Sequence, residues 1–258
     1  MNKLLDNRPI TFFDIDGVLV RPWIIYYFPM YLSQLNPPCF SQRALLDMRE
    51  HLESYRQNGD YIDFARKWMI AYAHGVRGAE VHEIEQNAIA FWNLHWNDYV
   101  YPYTVSLVKN LKEFTTLVAI SASPAVALRP LCLRLQIDYV EGLEAEEEGN
   151  IYTGEIDLSL MSKDQAVSKY IKNLSSLQKS QSFAFGDSVH DYPLLEHVGN
   201  PYFVTDKIDP ELRSRGETAF RGLSSQNPKI VLLYRDETPD GIVNVVRERT
   251  NQVFDKKS

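Results

Sequence analysis

The chain is short of several things that would assign it quickly. It has only two cysteines in 258 residues, Cys39 and Cys132, far apart and in no CxxC or other metal-type spacing. Free thiols in a reducing compartment are the simplest account of them. No run approaches the roughly 20 apolar residues that a membrane helix needs, so no stable membrane insertion is expected. Asp6, Asn7 and Arg8 interrupt any charged-then-apolar leader pattern at the N-terminus. Positive charge is scarce: 27 Lys and Arg against 34 Asp and Glu give a net charge of −7, which argues against nucleic acid or an anionic membrane as the main partner. The six histidines are scattered, and His82-Glu83 lacks the second histidine of a helical zinc motif. A soluble, cytoplasmic protein is expected, and nothing in the pattern specifies an oligomeric state.

What remains is an ordinary globular composition, 45% hydrophobic and 24% charged. It is long enough for one good core and a second small domain. The organising stretch is Phe12-Phe13-Asp14-Ile15-Asp16-Gly17-Val18-Leu19-Val20. Phe12 and Phe13 read as the end of a buried strand running from about Ile10 to Asp14, and Gly17 as the turn that stops it. Period-two geometry puts Asp14 and Asp16 on one side if the strand continues through them. Two carboxylates so close require either a proton or a cation between them. Mg²⁺ held against a phosphate supplies such a cation, while a solvated strand-to-turn junction is the plain alternative.

After Gly17 comes an aromatic stretch, Pro22 to Leu32, read as the buried face of a helix; contact with an apolar substrate or a membrane surface is the other reading. Three helical patterns follow. They start at Ser41 (Leu45, Met48, Leu52, Tyr55), at Asp60 as N-cap (Phe64, Trp68) and at Ala79 (Val81, Ile84, Ala88, Phe91). Nothing between Val20 and Trp96 reads as a strand. An all-helical insert directly after the first strand lies over the strand's carboxyl end, where open α/β sheets bind ligands.

Beyond Pro102 strands and helices alternate: strands at Leu117–Ser121, Ile137–Val140, Phe183–Gly186 and Pro201–Val204, with helices between them. This implies a parallel sheet with helices on both faces. Glu144 to Asp157 reads as a β-hairpin or extended flap, Ser162-Lys163-Asp164-Gln165 has the form of a capping box, Lys229–Tyr234 suits an edge strand, and Ile242 to Val253 suits a terminal amphipathic helix.

Four motifs lie at strand or helix ends. Ser121 closes the second core strand on the same end of the sheet as Asp14. Lys163 starts a helix, where the macrodipole disfavours a cation unless it faces an anion. Gly186-Asp187-Ser188-Val189-His190-Asp191 closes another strand with two carboxylates, of which Asp191 also suits a helix N-cap. Acids, hydroxyl, lysine, then acids are the parts that phosphoryl transfer through a carboxylate requires. A nucleophilic aspartate splits hydrolysis into two displacements. Mg²⁺ bridges the two anions, a lysine and a hydroxyl hold the equatorial oxygens, and a second acid protonates the leaving oxygen.

With DIDGVLV, ISASP, the lysine of SKDQ, and GDSVHD in this order, the sequence resembles the haloacid dehalogenase superfamily over about Ile10 to Val204. More narrowly it is similar to the phosphoserine-phosphatase-like branch, whose helical cap is inserted after the first motif. The resemblance implies a Rossmann-like, doubly wound α/β core (1–20 and 100–224), a helical cap (21–99) and a C-terminal extension packed on the core (225–258). It implies Asp14 as nucleophile and Asp16 as general acid/base. Ser121, Lys163 and Gly17 would bind phosphate, and Asp14, the backbone carbonyl of Asp16, Asp187 and Asp191 would form the Mg²⁺ site. Asp16 sets the reaction class, because relatives that cleave carbon–halogen bonds lack this acid.

The sequence departs from the branch at Val18, where a threonine or serine is usual, and at Trp23, which stands where a cap glutamate reads the substrate amine. Arg66 falls near the branch's carboxylate-binding arginine, with an exposed helical arginine as the plain alternative. Losing that acid makes phosphoserine itself an unsuitable substrate. The expected protein is a Mg²⁺-dependent phosphatase acting on a small phosphorylated metabolite. A phosphotransferase using the same intermediate and a non-catalytic binding protein of the same fold are the alternatives.

Overall fold

In the computed structural model, residues 8–158, 162–235, 238 and 240–254 are described. The first strand, β1 (Ile10–Phe13), is followed by four helices, α1 (Ile24–Ser33), α2 (Gln42–Asn58), α3 (Tyr61–Val76) and α4 (Val81–Tyr99). The chain then alternates: α5 (Thr104–Lys112), β2 (Thr116–Pro124), α6 (Ala125–Leu135), β3 (Tyr139–Leu143). A hairpin of β4 (Ala145–Glu148) and β5 (Ile151–Ile156) intervenes before α7 (Lys163–Ile171), α8 (Ser176–Gln181) and β6 (Phe183–Gly186). A 3-10 turn (Val189–Asp191) and α9 (Tyr192–Leu195) lead to β7 (Asn200–Asp206), α10 (Pro210–Gln226), β8 (Val231–Arg235) and α11 (Gly241–Phe254).

Six strands form one sheet in the order β3-β2-β1-β6-β7-β8, and every pairing in it is parallel. Alternate residues feed two cores. Phe13, Leu117, Phe185 and Val204 pack on one face; Phe12, Val118, Ala184 and Phe203 pack on the other, against α7, α9 and α10. Burial on both faces explains why these strands read as unbroken apolar runs. The chain order reverses between β1 and β6, so the carboxyl ends of these two strands open the crevice in which such sheets place ligands.

The expected parallel sheet, helical insert, hairpin, edge strand and terminal helix are all present. β1 ends one residue earlier than expected, at Phe13, because Asp14 has already turned into the site loop. β8 is a full sixth strand of the sheet, so the sheet reaches past position 224 to Arg235. Helix caps explain the starts of α2 and α3: Ser41 Oγ accepts the Ala44 N–H, and an Asp60 oxygen accepts the Asp63 N–H. The capping box expected at Ser162 is not formed. Ser162 holds the N-cap position of α7 but makes no side-chain cap bond.

The α1–α4 segment is joined to the sheet by continuous apolar packing, since one buried cluster runs from Phe28, Trp68 and Phe91 to Phe13, Phe185 and Val204. Trp92 Nε1 donates to the Ala127 carbonyl of α6 at 2.6 Å. The hairpin clasps α3 and α4 from outside: Gly78 N–H donates to Tyr152 O, and Tyr152 N–H to Ala79 O.

Candidate active site

Asp14 sits where β1 runs out, its N–H donating to the Phe185 carbonyl of β6 at 2.9 Å. The next residues turn back on themselves, with Leu19 and Val20 N–H groups both bonded to the Ile15 carbonyl. Gly17 makes the turn possible at φ +82°, and a Cβ there would lie 1.8 Å from an oxygen of Asp187. Glycine therefore serves both the backbone and the approach of the Asp187 carboxylate.

One loop thus presents two carboxyl groups in different settings. Asp14 Oδ1 accepts from Lys163 Nζ at 2.7 Å. Asp16 is turned away from that ammonium, into a ring of donors: Ser121 Oγ at 3.0 Å, Ser123 Oγ at 2.7 Å and the Ile24 N–H at 2.9 Å. Ser123 Oγ in turn accepts the Ile25 N–H at 2.9 Å, so the first turn of α1 is fastened to the end of β2 through this serine. Burial pushes Asp16 above the usual carboxylate range, more than these hydrogen bonds lower it. A carboxyl group that holds its proton more readily than usual suits a proton donor.

Lys163 opens α7 and reaches across to Asp14 and to Asp191, with which it also forms an ion pair. Burial works against its charge, but the two carboxylates outweigh burial and hold the ammonium above its ordinary range. The unfavourable placement of a cation at a helix start is thereby explained by its anionic partners. Asp191 is fully buried and holds the N-cap position of α9, yet its side chain caps nothing there. Oδ2 instead accepts the Asp187 N–H, the Ser188 N–H and the Ser188 hydroxyl, each at 2.9 Å. Burial raises Asp191, but Lys163 and the Ser188 bonds prevail, and it lies below the usual range.

Asp187 and Asp14 show the opposite balance. Burial first, then Asp191, pushes Asp187 up to about 7, against Arg235 and Lys163. Burial lifts Asp14 well above its ordinary value despite Lys163, and the other acids add to it. Asp14, Asp187 and Asp191 each present a carboxylate oxygen within 4.8 Å of the other two. This crowded, hard oxygen set with an excess of negative charge fits Mg²⁺ and does not fit a soft metal. The Asp16 carboxylate is outside the cluster.

A cavity of about 440 Å³ opens from these groups toward α1, α2 and α3. Trp23 lines it; Arg66 does not, lying exposed on α3 next to Ala65, which does. Ser121 and Gly17 line it together with Lys163.

A family profile described as haloacid dehalogenase-like hydrolase matches residues 11–196. The chain belongs to that family. No curated protein sequence matches this hydrolase closely enough to be reported. Solved structures share its fold. A phosphoserine phosphohydrolase-like protein from Francisella tularensis is 16% identical, with 92% of this chain and 99% of that one covered and a TM-score of 0.62. A protein of unknown function from Bordetella pertussis is also 16% identical, covering 87% and 98%, with a TM-score of 0.62. A phosphoserine phosphatase solved as an analogue of its phospho-aspartyl intermediate is 12% identical, covering 94% and 99%, with a TM-score of 0.56.

Sequence reasoning missed four residues of this hydrolase. Ser123 shares the Asp16 carboxylate with Ser121, and its only signal was the second serine of ISASP. Arg235, buried at the end of β8, donates to the Gly17 carbonyl and lies 3.8 Å from Asp187 and 3.4 Å from Asp206. Tyr61 of α3 stacks on His190 of the 3-10 turn at 3.5 Å and 11°, joining the helical insert to the loop that carries Asp187 and Asp191. Burial beside these acids pushes the Tyr61 hydroxyl up to about 12 and lowers the His190 imidazole below its usual range.

Proposed function

We propose that this hydrolase is a Mg²⁺-dependent phosphomonoesterase working through an aspartyl-phosphate. The observation that carries the reading is the contrast within one turn: Asp14 on the Lys163 ammonium, Asp16 enclosed by Ser121, Ser123 and the Ile24 N–H.

An oxygen of Asp14 attacks phosphorus, and the bond from phosphorus to the leaving oxygen breaks as Asp16 gives that oxygen its proton. Asp16, now ionised, takes a proton from the water that attacks the aspartyl-phosphate, releasing phosphate and restoring Asp14. Lys163 holds charge developing on the phosphoryl oxygens while Asp191 keeps the ammonium in place. Asp14, Asp187 and Asp191, with the Asp16 backbone carbonyl, are the groups that would hold Mg²⁺. Bound there, it supplies charge neutralisation that lets one anion approach another. The 21–99 helices act as the cap that screens the reaction from bulk water and meets the leaving alcohol, a small phosphorylated metabolite.

The test is phosphate release from a generic aryl phosphate, with Mg²⁺ and with a chelator, for wild type, Asp14→Asn and Asp16→Asn. Release that needs both Mg²⁺ and Asp14 supports the reading. Release that survives in Asp14→Asn, in protein free of contaminating phosphatase, overturns it.

A further inference from the structure

We infer that the leaving alcohol carries an apolar ring that lies against Trp23, and that zwitterionic phosphates such as phosphoserine are disfavoured; this rests on the phosphomonoesterase reading above. The helical side of the 440 Å³ cavity is built of Trp23, Tyr55, Tyr61, Phe64, Trp68 and Met69. Among the described residues that line this side there is no carboxylate, and the one charged member is Arg21. An ammonium group brought here meets rings and a guanidinium, and among the described lining residues of this side it finds no anion to replace its water. The opposite rim adds Arg215 of α10, for which no ion pair exists among the described residues, again of the wrong sign for an amine.

The rings are held in place. Trp68 is buried and donates its Nε1 to the Met48 carbonyl at 2.6 Å. Most ring faces are already occupied by other rings: Tyr26 on Trp68 at 5.8 Å, Tyr55 on Phe64 at 4.6 Å, Tyr61 on His190 at 3.5 Å. A box of open faces, as a quaternary ammonium would need, is therefore not present. Trp23 is the exception. It meets Trp68 edge-on at 6.1 Å and keeps 47% of its surface exposed at the cavity. It also holds the N-cap position of α1, whose first N–H, that of Ile24, donates to Asp16, so a ring stacked on Trp23 is held close to the proton donor. Stacked aromatic contact and the burial that accompanies it are together expected to give about a tenfold preference.

The experiment compares kcat/KM for 2-naphthylmethyl phosphate, ethyl phosphate, phosphoserine and phosphocholine in wild type, Trp23→Ala and Trp23→Phe. The expected result is a preference of about tenfold or more for the naphthylmethyl ester over ethyl phosphate. That ratio should fall to about one in Trp23→Ala and largely return in Trp23→Phe. Taking the ratio removes any loss common to both esters, including a folding defect. Equal rates, or faster turnover of phosphoserine or phosphocholine, would overturn the inference while leaving the phosphomonoesterase reading intact. If no ester is hydrolysed, that reading fails. The ring site is then read by tryptophan fluorescence titration with 2-naphthylmethylphosphonate against ethylphosphonate. Tighter binding of the former by about tenfold, lost in Trp23→Ala, supports the site, and equal binding overturns it.

Discussion

Arg235→Met removes a cation that lies more than two hundred positions from the loop it holds. The guanidinium donates to the Gly17 carbonyl, faces Asp187 at 3.8 Å and Asp206 at 3.4 Å, and is only 9% exposed. Asp206 keeps two backbone donors, Ile208 and Asp209 N–H at 2.7 Å each, so its share of the loss is small. The main term is the Gly17 carbonyl left buried after losing a charged donor, worth about 2–3 kcal/mol. A urea titration should therefore show a fall in stability of that size, at the lower edge of what breaking a buried ion pair costs.

The same change should alter cation binding in a pH-dependent way. Asp187 already lies near 7, with Arg235 among the groups that lower it. Without Arg235 its pKa rises, and more of the carboxyl is protonated near neutrality. Calorimetric Mg²⁺ affinity should fall most at about pH 6 and recover by about pH 9, where the carboxyl is ionised in both proteins. A stability loss below about 1 kcal/mol, together with an unchanged pH profile of Mg²⁺ affinity, would refute the assignment of Arg235 as the clamp on this loop.

Ser123→Ala should raise Asp16 further, because one of the hydrogen bonds that lower it is gone. In the proposed mechanism the acid limb of kcat reports ionised Asp16 in the water-activating step, and it should then move to higher pH. In a chelator, thermal stability should fall as pH rises from about 5 to about 8. Asp187 holds a proton in the folded chain up to about 7 but loses it near 3.8 when unfolded, so the folded state binds more protons in that window. Excess Mg²⁺ should restore the melting temperature, by more at high pH than at low, which paired melting curves would show. Tyr61→Ala removes the stack on His190, worth about 1 kcal/mol. It should raise KM and speed amide exchange at the start of α3, with little change in global unfolding.

The parts of this fold that sequence discloses are those whose reason is local. Phe12-Phe13 before Asp14-Ile15-Asp16-Gly17 carries its own strand end and turn. Lys163 at a helix start is incongruous enough to point to an anion, and the structure supplies Asp14 and Asp191. Apolar periodicity places α2 to α4, whose core positions include Leu45 and Met48, Phe64 and Trp68, and Ile84, Ala88 and Phe91.

What was hidden depends on chain segments meeting. Ser121 and Ser123 look alike in ISASP, and only the path of β2 past Asp16 brings both hydroxyls to one carboxylate. Arg235 ends an edge strand with no motif around it, and parallel pairing with β7 alone carries it under Gly17. Tyr61 and His190 belong to different structural layers, and no spacing rule links them. Arg66 lies outside the cavity because the face of α3 toward it is taken by Tyr61, Phe64, Trp68 and Met69.

The most direct test of the account is to trap the phosphoryl group on Asp14. In Asp16→Asn an aryl phosphate, whose alcohol leaves without a proton, can still phosphorylate Asp14, while the water that should release it has lost its base. Acid quenching during turnover, followed by peptide mass analysis, should find one phosphoryl group on the peptide containing Asp14, removable by hydroxylamine and absent in Asp14→Asn/Asp16→Asn. Turnover of wild type with no phosphorylated peptide at any quench time, in either protein, would contradict a covalent mechanism.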